Sequence, residues 1–183
     1  MATLYFNAAV NTNWDTNGNW WTDAAATEPG NKPTSADSAV ILASVASNSG
    51  GNPTIINLTV ATNGVTVAGV TMTVTGVAAF SGTAYNGATI TGNCTFSGDA
   101  YNNSGIITGN CTFSGTSYNA GTITGNAIFT GTSYIAAGGT VTGTIRMSTL
   151  SAARSIQIGF LADSPVSTTV TCPNNGNKVR KLI

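Results

Sequence analysis

The sequence predicts an all-β protein: a parallel β-solenoid (β-helix) of about five or six short coils with 16–18-residue repeats, capped at both ends. Three observations predict it. Phe80, Phe96, Phe113 and Phe129 recur at intervals of 16, 17 and 16, and Tyr85, Tyr101, Tyr118 and Tyr134 keep the same intervals. Glycine follows each Phe by two (Gly82, Gly98, Gly115, Gly131), and Ile90, Ile107, Ile123 and Val141 are followed by Gly92, Gly109, Gly125 and Gly143 in the same way. All length variation falls between the Tyr and Ile columns: four residues lie between Tyr118 and Ile123, five between Tyr101 and Ile107, six between Tyr134 and Val141. Variation confined to one place marks a loop on a repeated frame. A short period rich in Thr, Val, Ile, Phe and Tyr is a β unit, and one such unit buries its apolar side only against its neighbours.

Residues 1–53 are read as an N-terminal cap or attachment region. They hold all three tryptophans (Trp14, Trp20, Trp21) and four of the six acids. The stretch from Trp14 to Trp21 reads as a turn between aromatic anchors, and Pro33-Thr34-Ser35-Ala36-Asp37 as a loop feeding a strand. The solenoid is assigned to residues 54–147. Val74 and Leu58 precede Ile90 by 16 and 32, which places a degenerate coil or two over 54–77. Within a repeat, alternation sends Cys94 and Phe96 one way and Thr95 the other. The column Ala78, Cys94, Cys111, Ala127, Ile145 is apolar throughout, as is the Phe column continued to Met147, so both face inward. The column Ile90, Ile107, Ile123, Val141 does too. In the Tyr region either the tyrosines or the preceding Ala84, Ala100, Ser117 and Ser133 form the inward set; Asp99 shares the parity of Tyr101 and points to an exposed tyrosine. Residues 148–183 are read as a C-terminal β cap and tail, with Ser151–Gln157 nearest to a helical window. They carry four of the six basic groups.

Composition narrows function. Thr, Gly, Asn and Ser supply about half of the 183 residues, charged residues make up 7%, the net charge is zero and there is no histidine. Such a chain has no field with which to capture nucleic acid or a membrane surface. It lacks every His-based triad, general base and metal site. No apolar run reaches the roughly 18 residues of a membrane helix. A glycosidase needs two carboxylates facing across a groove, whereas Asp99 and Asp163 stand alone and Asp15, Asp23, Glu28 and Asp37 lie in the N-terminal region. The chain is therefore read as a non-enzyme with no cofactor or metal. Cys94 and Cys111 stack on adjacent coils at a separation that permits a disulfide, but alanine fills the same column elsewhere, which favours two small core residues.

Four features are left as candidate surfaces. The tyrosines Tyr85, Tyr101, Tyr118 and Tyr134, with the asparagines Asn86, Asn102 and Asn119, form columns suited to surface binding. Stacked amides also hydrogen-bond along a solenoid axis, which gives the asparagines a structural reading. Thr89-x-Thr91, Thr122-x-Thr124 and Thr140-x-Thr142 make Thr-x-Thr rows that resemble the ice-binding face of β-solenoid antifreeze proteins. Threonine is also simply a good exposed strand residue, and the interruption at Ile106 favours that plainer account. Lys178, Arg180 and Lys181 form a basic tail suited to docking on an acidic neighbour. The opening Met1–Tyr5 lacks the basic and apolar regions of a secretory signal. Either a leader has been removed, or the protein is made in a host cytoplasm and leaves by assembly and lysis.

Two regions carry a resemblance. Leu4-Tyr5-Phe6-Asn7-Ala8-Ala9-Val10, with Trp14, Asn19-Trp20-Trp21 and Pro33–Asp37, is similar to the N-terminus of repeat-bearing virion proteins of tailed bacteriophages, notably aquatic phages. The tandem Ile-Thr-Gly-Asn-x-x-Phe units resemble repeats of the same proteins. The resemblance covers most of residues 1–145 and implies structural or appendage roles, with no catalytic residues to carry over. The expected function is a capsid decoration (cement) protein on the virion surface, with the major capsid protein as first partner and tail proteins as second. By analogy it forms a homo-oligomer, a trimer in many such proteins. The alternatives are a tail-fibre or spike module that binds a host glycan, and an ice-binding or other surface solenoid.

Overall fold

In the computed structural model the described residues are 1–147 and the backbone of Val170–Thr171. The strands in order are β1 (Thr3–Phe6), β2 (Trp20–Trp21), β3 (Ser38–Ile41), β4 (Thr54–Ile55), β5 (Leu58–Val60), β6 (Thr66–Phe80), β7 (Tyr85–Phe96), β8 (Tyr101–Asn102) and β9 (Ile106–Thr108). They continue with β10 (Cys111–Phe113), β11 (Tyr118–Asn119), β12 (Thr122–Ile123), β13 (Ala127–Phe129), β14 (Tyr134–Ile135), β15 (Thr140–Val141), β16 (Ile145–Met147) and β17 (Val170–Thr171). Among the described residues there is no α-helix; the one helical element is a 3-10 turn at Asn17–Asn19.

The fold is a parallel β-solenoid. Each strand pairs with its equivalent one coil away, so Cys94 lies beside Cys111, Cys111 beside Ala127, and Ala127 beside Ile145. Three ladders run along the axis and form three faces, named here for their most regular column. The Phe face contains β10 and β13, the Tyr face β8 and β11, and the Ile face β9 and β12. The long strands β6 and β7 run through the corners and contribute to all three faces.

The corner between the Phe and Tyr faces is a turn closed by the Ala100 N–H donating to the Ser97 carbonyl, 3.3 Å. Gly98 sits there at φ +64°, a backbone region that only glycine enters without strain, and Gly82, Gly115 and Gly131 repeat it. This explains why glycine follows each Phe by two.

The stack begins earlier than residue 54. On the Phe face β1 pairs in parallel with β3, and β3 with β5, aligning Leu4, Ala39 and Leu58 and, two residues on, Phe6, Ile41 and Val60. Residues 3–6 and 38–41 thus belong to the same ladder as the repeats. The step from β1 to β3 is long because it holds the aromatic insertion that carries β2. That strand runs antiparallel along the other side of β1, pairing Trp20 with Phe6, and Pro29 bridges Trp21 beyond it. Trp14 and Trp20 meet edge to face at 4.6 Å, and Trp20 meets Phe6 at 5.1 Å, all three buried.

Two alignments differ from those read in the sequence. Met72, not Val74, is the partner of Ile90. Leu58 pairs with Ala78 on the Phe face and does not belong to the Ile column. Register shifts between Ala68 and Thr71 and between Thr73 and Val77 cause both, because extra residues in β6 break a simple count.

The core is the predicted ladder. Phe80, Phe96, Phe113 and Phe129 are buried and stack at 4.9, 4.8 and 4.7 Å with planes within 10°. Those spacings equal the rise between paired strands, so the backbone ladder imposes the ring stack. Ile90, Ile107 and Ile123 are fully buried, while Val141 is only partly so. Cys94 and Cys111 are buried free thiols. Their mutual hydrogen bond and burial hold the Cys94 thiol well above its usual range, so it stays protonated.

Candidate functional surface

The tyrosine question resolves by burial. Ala84, Ala100 and Ser117 are fully buried, and the tyrosines one residue on point outward and are half-exposed. Tyr85–Tyr101, Tyr101–Tyr118 and Tyr118–Tyr134 stack at 4.2, 4.2 and 5.3 Å. Burial and the hydrogen bond to Tyr118 raise the Tyr101 pKa against an opposing effect of Tyr85, and the hydrogen bond to Tyr101 raises that of Tyr85. Tyr101, Tyr118 and Tyr134 stack with planes within 24°, so their facing sides are covered, while Tyr85 is tilted at 47° to Tyr101. What this column offers a ligand is therefore a row of ring edges and hydroxyls.

The asparagines read as its surface companions are not on the surface. Asn86, Asn102 and Asn119 are fully buried, on the parity of Ala84. The Asn86 Nδ2 donates to Asn102 Oδ1 at 2.8 Å, and the Asn102 Nδ2 to Asn119 Oδ1 at 2.7 Å. Each amide also bonds the backbone of its own coil: Asn86 donates to the Ala88 carbonyl, Asn102 to Gly105 and Asn119 to Gly121. A buried amide is tolerated only when so paired. The structural reading of this column is the one the geometry supports. A second line of asparagines, Asn93, Asn110 and Asn126, lies exposed at the Ile–Phe corner, each accepting the N–H one coil above at 2.8–3.0 Å.

The outer side of the Ile face is a threonine array. Thr71, Thr89, Ile106, Thr122 and Thr140 align as one column. Thr54, Thr73, Thr91 and Thr108 align as the other. Thr124 and Thr142 continue that second column through their N–H bonds to Ile107 and Ile123, 2.9 Å each. The sequence reading missed the row Thr71-x-Thr73 because it lies upstream of the clear repeats.

Other features are local. A cleft of about 340 Å³ outside the Phe face is lined by Asn110, Thr112, Asn126, Ile128, Thr144 and Arg146, among others. It was not read from the sequence, although Arg146 and Ile128 visibly break the Thr95–Thr112 column. Among the described residues no three Cys, Asp or Glu side chains converge as a metal site would need, and no helix is long and apolar enough to cross a membrane. The predicted docking tail, Lys178, Arg180 and Lys181, lies outside the described residues, as does Ser151–Gln157.

The N-terminal aspartates are hydrogen-bonded within the N-terminal region, Asp23 inside its own loop and Asp15 and Asp37 across to other segments. Asp15 accepts from Lys32 Nζ at 2.8 Å and from the Ser49 and Gly50 N–H groups. Burial pushes its pKa up, but these hydrogen bonds together hold it below the ordinary value. Asp23 and Asp37 are lowered by hydrogen bonds from Thr27 and Thr34 respectively and from nearby backbone. All three folded pKa values lie below the unfolded one. Their stabilisation is therefore present above the ordinary aspartate value near 3.9 and is lost as pH falls through the folded values. Between residues 38 and 147 the sole acid is Asp99. Acid titration should thus shift the tryptophan emission, which reports the N-terminal coil alone, before the β circular dichroism changes. Coincident transitions would refute this assignment.

No protein-family model, curated protein or solved structure matches the chain.

Proposed function

We propose that this chain is a structural virion protein of a tailed bacteriophage, a decoration protein on the outside of the head. One observation carries the reading. The N-terminal motif and the tandem repeats, which together resemble such virion proteins, share one ladder: Leu4–Phe6 of the motif is a rung of it, and Trp14, Trp20 and Trp21 sit in the insertion beside that rung. The supporting chemistry is that of a scaffold. Ring stacks, amide ladders and strand bonds all run along one axis, and the exposed columns are mostly uncharged Thr, Asn and Tyr, with Arg146 the charged member of the outer Phe-face column. Such a body adds stability to an assembly by burying interface area with a partner; the partner proposed is the major capsid protein, with the chain itself as a homo-oligomer.

A tail-fibre module that grips a glycan through Tyr and Asn columns has less support. The asparagines are buried, and the tyrosines inside the column, Tyr101 and Tyr118, have ring faces covered by their neighbours. The test is the composition and cryo-EM reconstruction of the source particle. Stoichiometric copies at positions on an icosahedral shell are expected. Absence from purified particles, or confinement to the tail, would overturn the decoration role.

A further inference from the structure

We propose that the outer side of the Ile face is an ice-binding surface, whose ligand is the ordered water lattice at a growing ice crystal. The inference is independent of the virion reading. It begins with where hydroxyl groups are spent. At the Phe–Tyr corner they bond back to the protein: Ser114 Oγ donates to the Phe96 carbonyl, Thr130 Oγ to Phe113 and Thr132 Oγ to Gly115, at 2.9–3.3 Å. On the Ile face most do not. Thr124 bonds the Ile107 carbonyl and Thr140 bonds Thr122, both weakly at 3.2–3.3 Å. The hydroxyls of Thr71, Thr73, Thr89, Thr91 and Thr108 make no hydrogen bond among the described residues. They lie in two columns, with Thr71, Thr91 and Thr108 exposed and Thr73 and Thr89 half-buried.

The mesh of those columns is fixed by the backbone. Neighbouring coils lie about 4.8 Å apart, and residues two apart on a strand about 6.7 Å. A mesh of this scale lies near the oxygen repeats on a prism face of hexagonal ice. Each threonine adds a methyl group, which orders water beside it, to a hydroxyl that joins the lattice. No charged side chain stands in either column. The array is also held rigid from beneath, because Ile90, Ile107 and Ile123 are fully buried directly between the two columns. A preorganised surface loses little entropy when it engages a solid. Ile106 is the one defect in rows 71–73 to 140–142.

The test uses the full chain in thermal hysteresis and ice-recrystallisation assays at matched concentration. Wild type is expected to inhibit ice growth. Thr91→Lys places a charged chain in mid-array and should reduce inhibition to background. Thr112→Lys, at an equally exposed strand position on the Phe face, should leave it unchanged. Ile106→Thr completes the broken row and should raise it. Both lysine variants sit on exposed positions, and unchanged melting curves verify that they fold. Three results would overturn the proposal: no wild-type effect on ice, equal loss in the two lysine variants, or no gain from Ile106→Thr.

Discussion

Gly109→Ala is expected to destabilise the solenoid by about 3 kcal/mol or more, an overpacking cost at the severe end. For a chain of this size that is a drop in melting temperature of roughly 10 °C. The cause is steric. A Cβ at this position would lie 2.6 Å from the carbonyl carbon of Gly92 on the neighbouring coil, and closer still to its oxygen. The obstacle is backbone, fixed by the pairing of Thr91 with Thr108 just before it, so no rotamer change makes room. Gly125 meets Gly109 and Gly143 meets Gly125 in the same way. The Ile–Phe corner is thus a run of backbone packed on backbone, and only glycine fits. Gly138→Ala is the control. Gly138 has φ +84° with nothing within 4 Å of the added carbon, so it carries conformational strain alone, about 1 kcal/mol. Thermal melts of the two variants decide the matter, and equal losses would remove the steric explanation. Since tryptophan emission reports only the first coil, native emission with lost β signal would place the damage in the later coils.

The repeated frame was legible because each of its columns answers one physical demand. Phe96 and Phe113 fill the same place in the core, Gly98 and Gly115 make the same turn, and Gly109 and Gly125 solve the same close approach. Where the demand is met by different residues, the period disappears from the sequence. The rungs Leu4, Ala39 and Leu58 bury as Cys94 does, yet their spacing is stretched by the aromatic insertion and no Phe marks Ile41 or Val60. The partner of Ile90 was misread for a related reason: Met72 and Val74 are both inward and apolar, and only the bulges in β6 choose between them. The asparagine column was legible as an amide ladder, and only its alternative reading as a binding surface fails. Alternation from the buried Ala100 places Asn102 inside, but a polar side chain argues against burial until its partners are known. Those partners are other asparagines one coil away, which the repeat spacing already stacks; what it leaves open is which way the column faces.

That column gives the second large effect. Asn102→Asp is expected to destabilise the fold by about 3–5 kcal/mol at neutral pH, the cost of an uncompensated buried charge. Asn102 accepts from Asn86 Nδ2 through its oxygen, and donates through Nδ2 to Asn119 Oδ1 and the Gly105 carbonyl. A carboxylate keeps the first bond. Its second oxygen then faces two acceptors at the distance of the old hydrogen bonds, in a fully buried position. Protonation relieves this, because a neutral carboxyl donates to one of the two. Burial and the facing acceptors both favour the protonated form, so the folded pKa of the introduced group rises above its unfolded value near 3.9. A raised folded pKa means that the variant recovers stability below the unfolded pKa and loses it as pH increases through the folded one. The variant should therefore be closer to wild type at pH 4 than at pH 7, opposite in sign to the acid response of Asp15 and Asp37. Asn102→Leu removes the charge but strips three partners of a bond, and should cost about 2–3 kcal/mol with no such pH dependence. Denaturant melts of both variants at the two pH values separate the readings. If Asn102→Asp matched wild type at pH 7, the amide would be facing solvent, and the column would return to the list of binding surfaces.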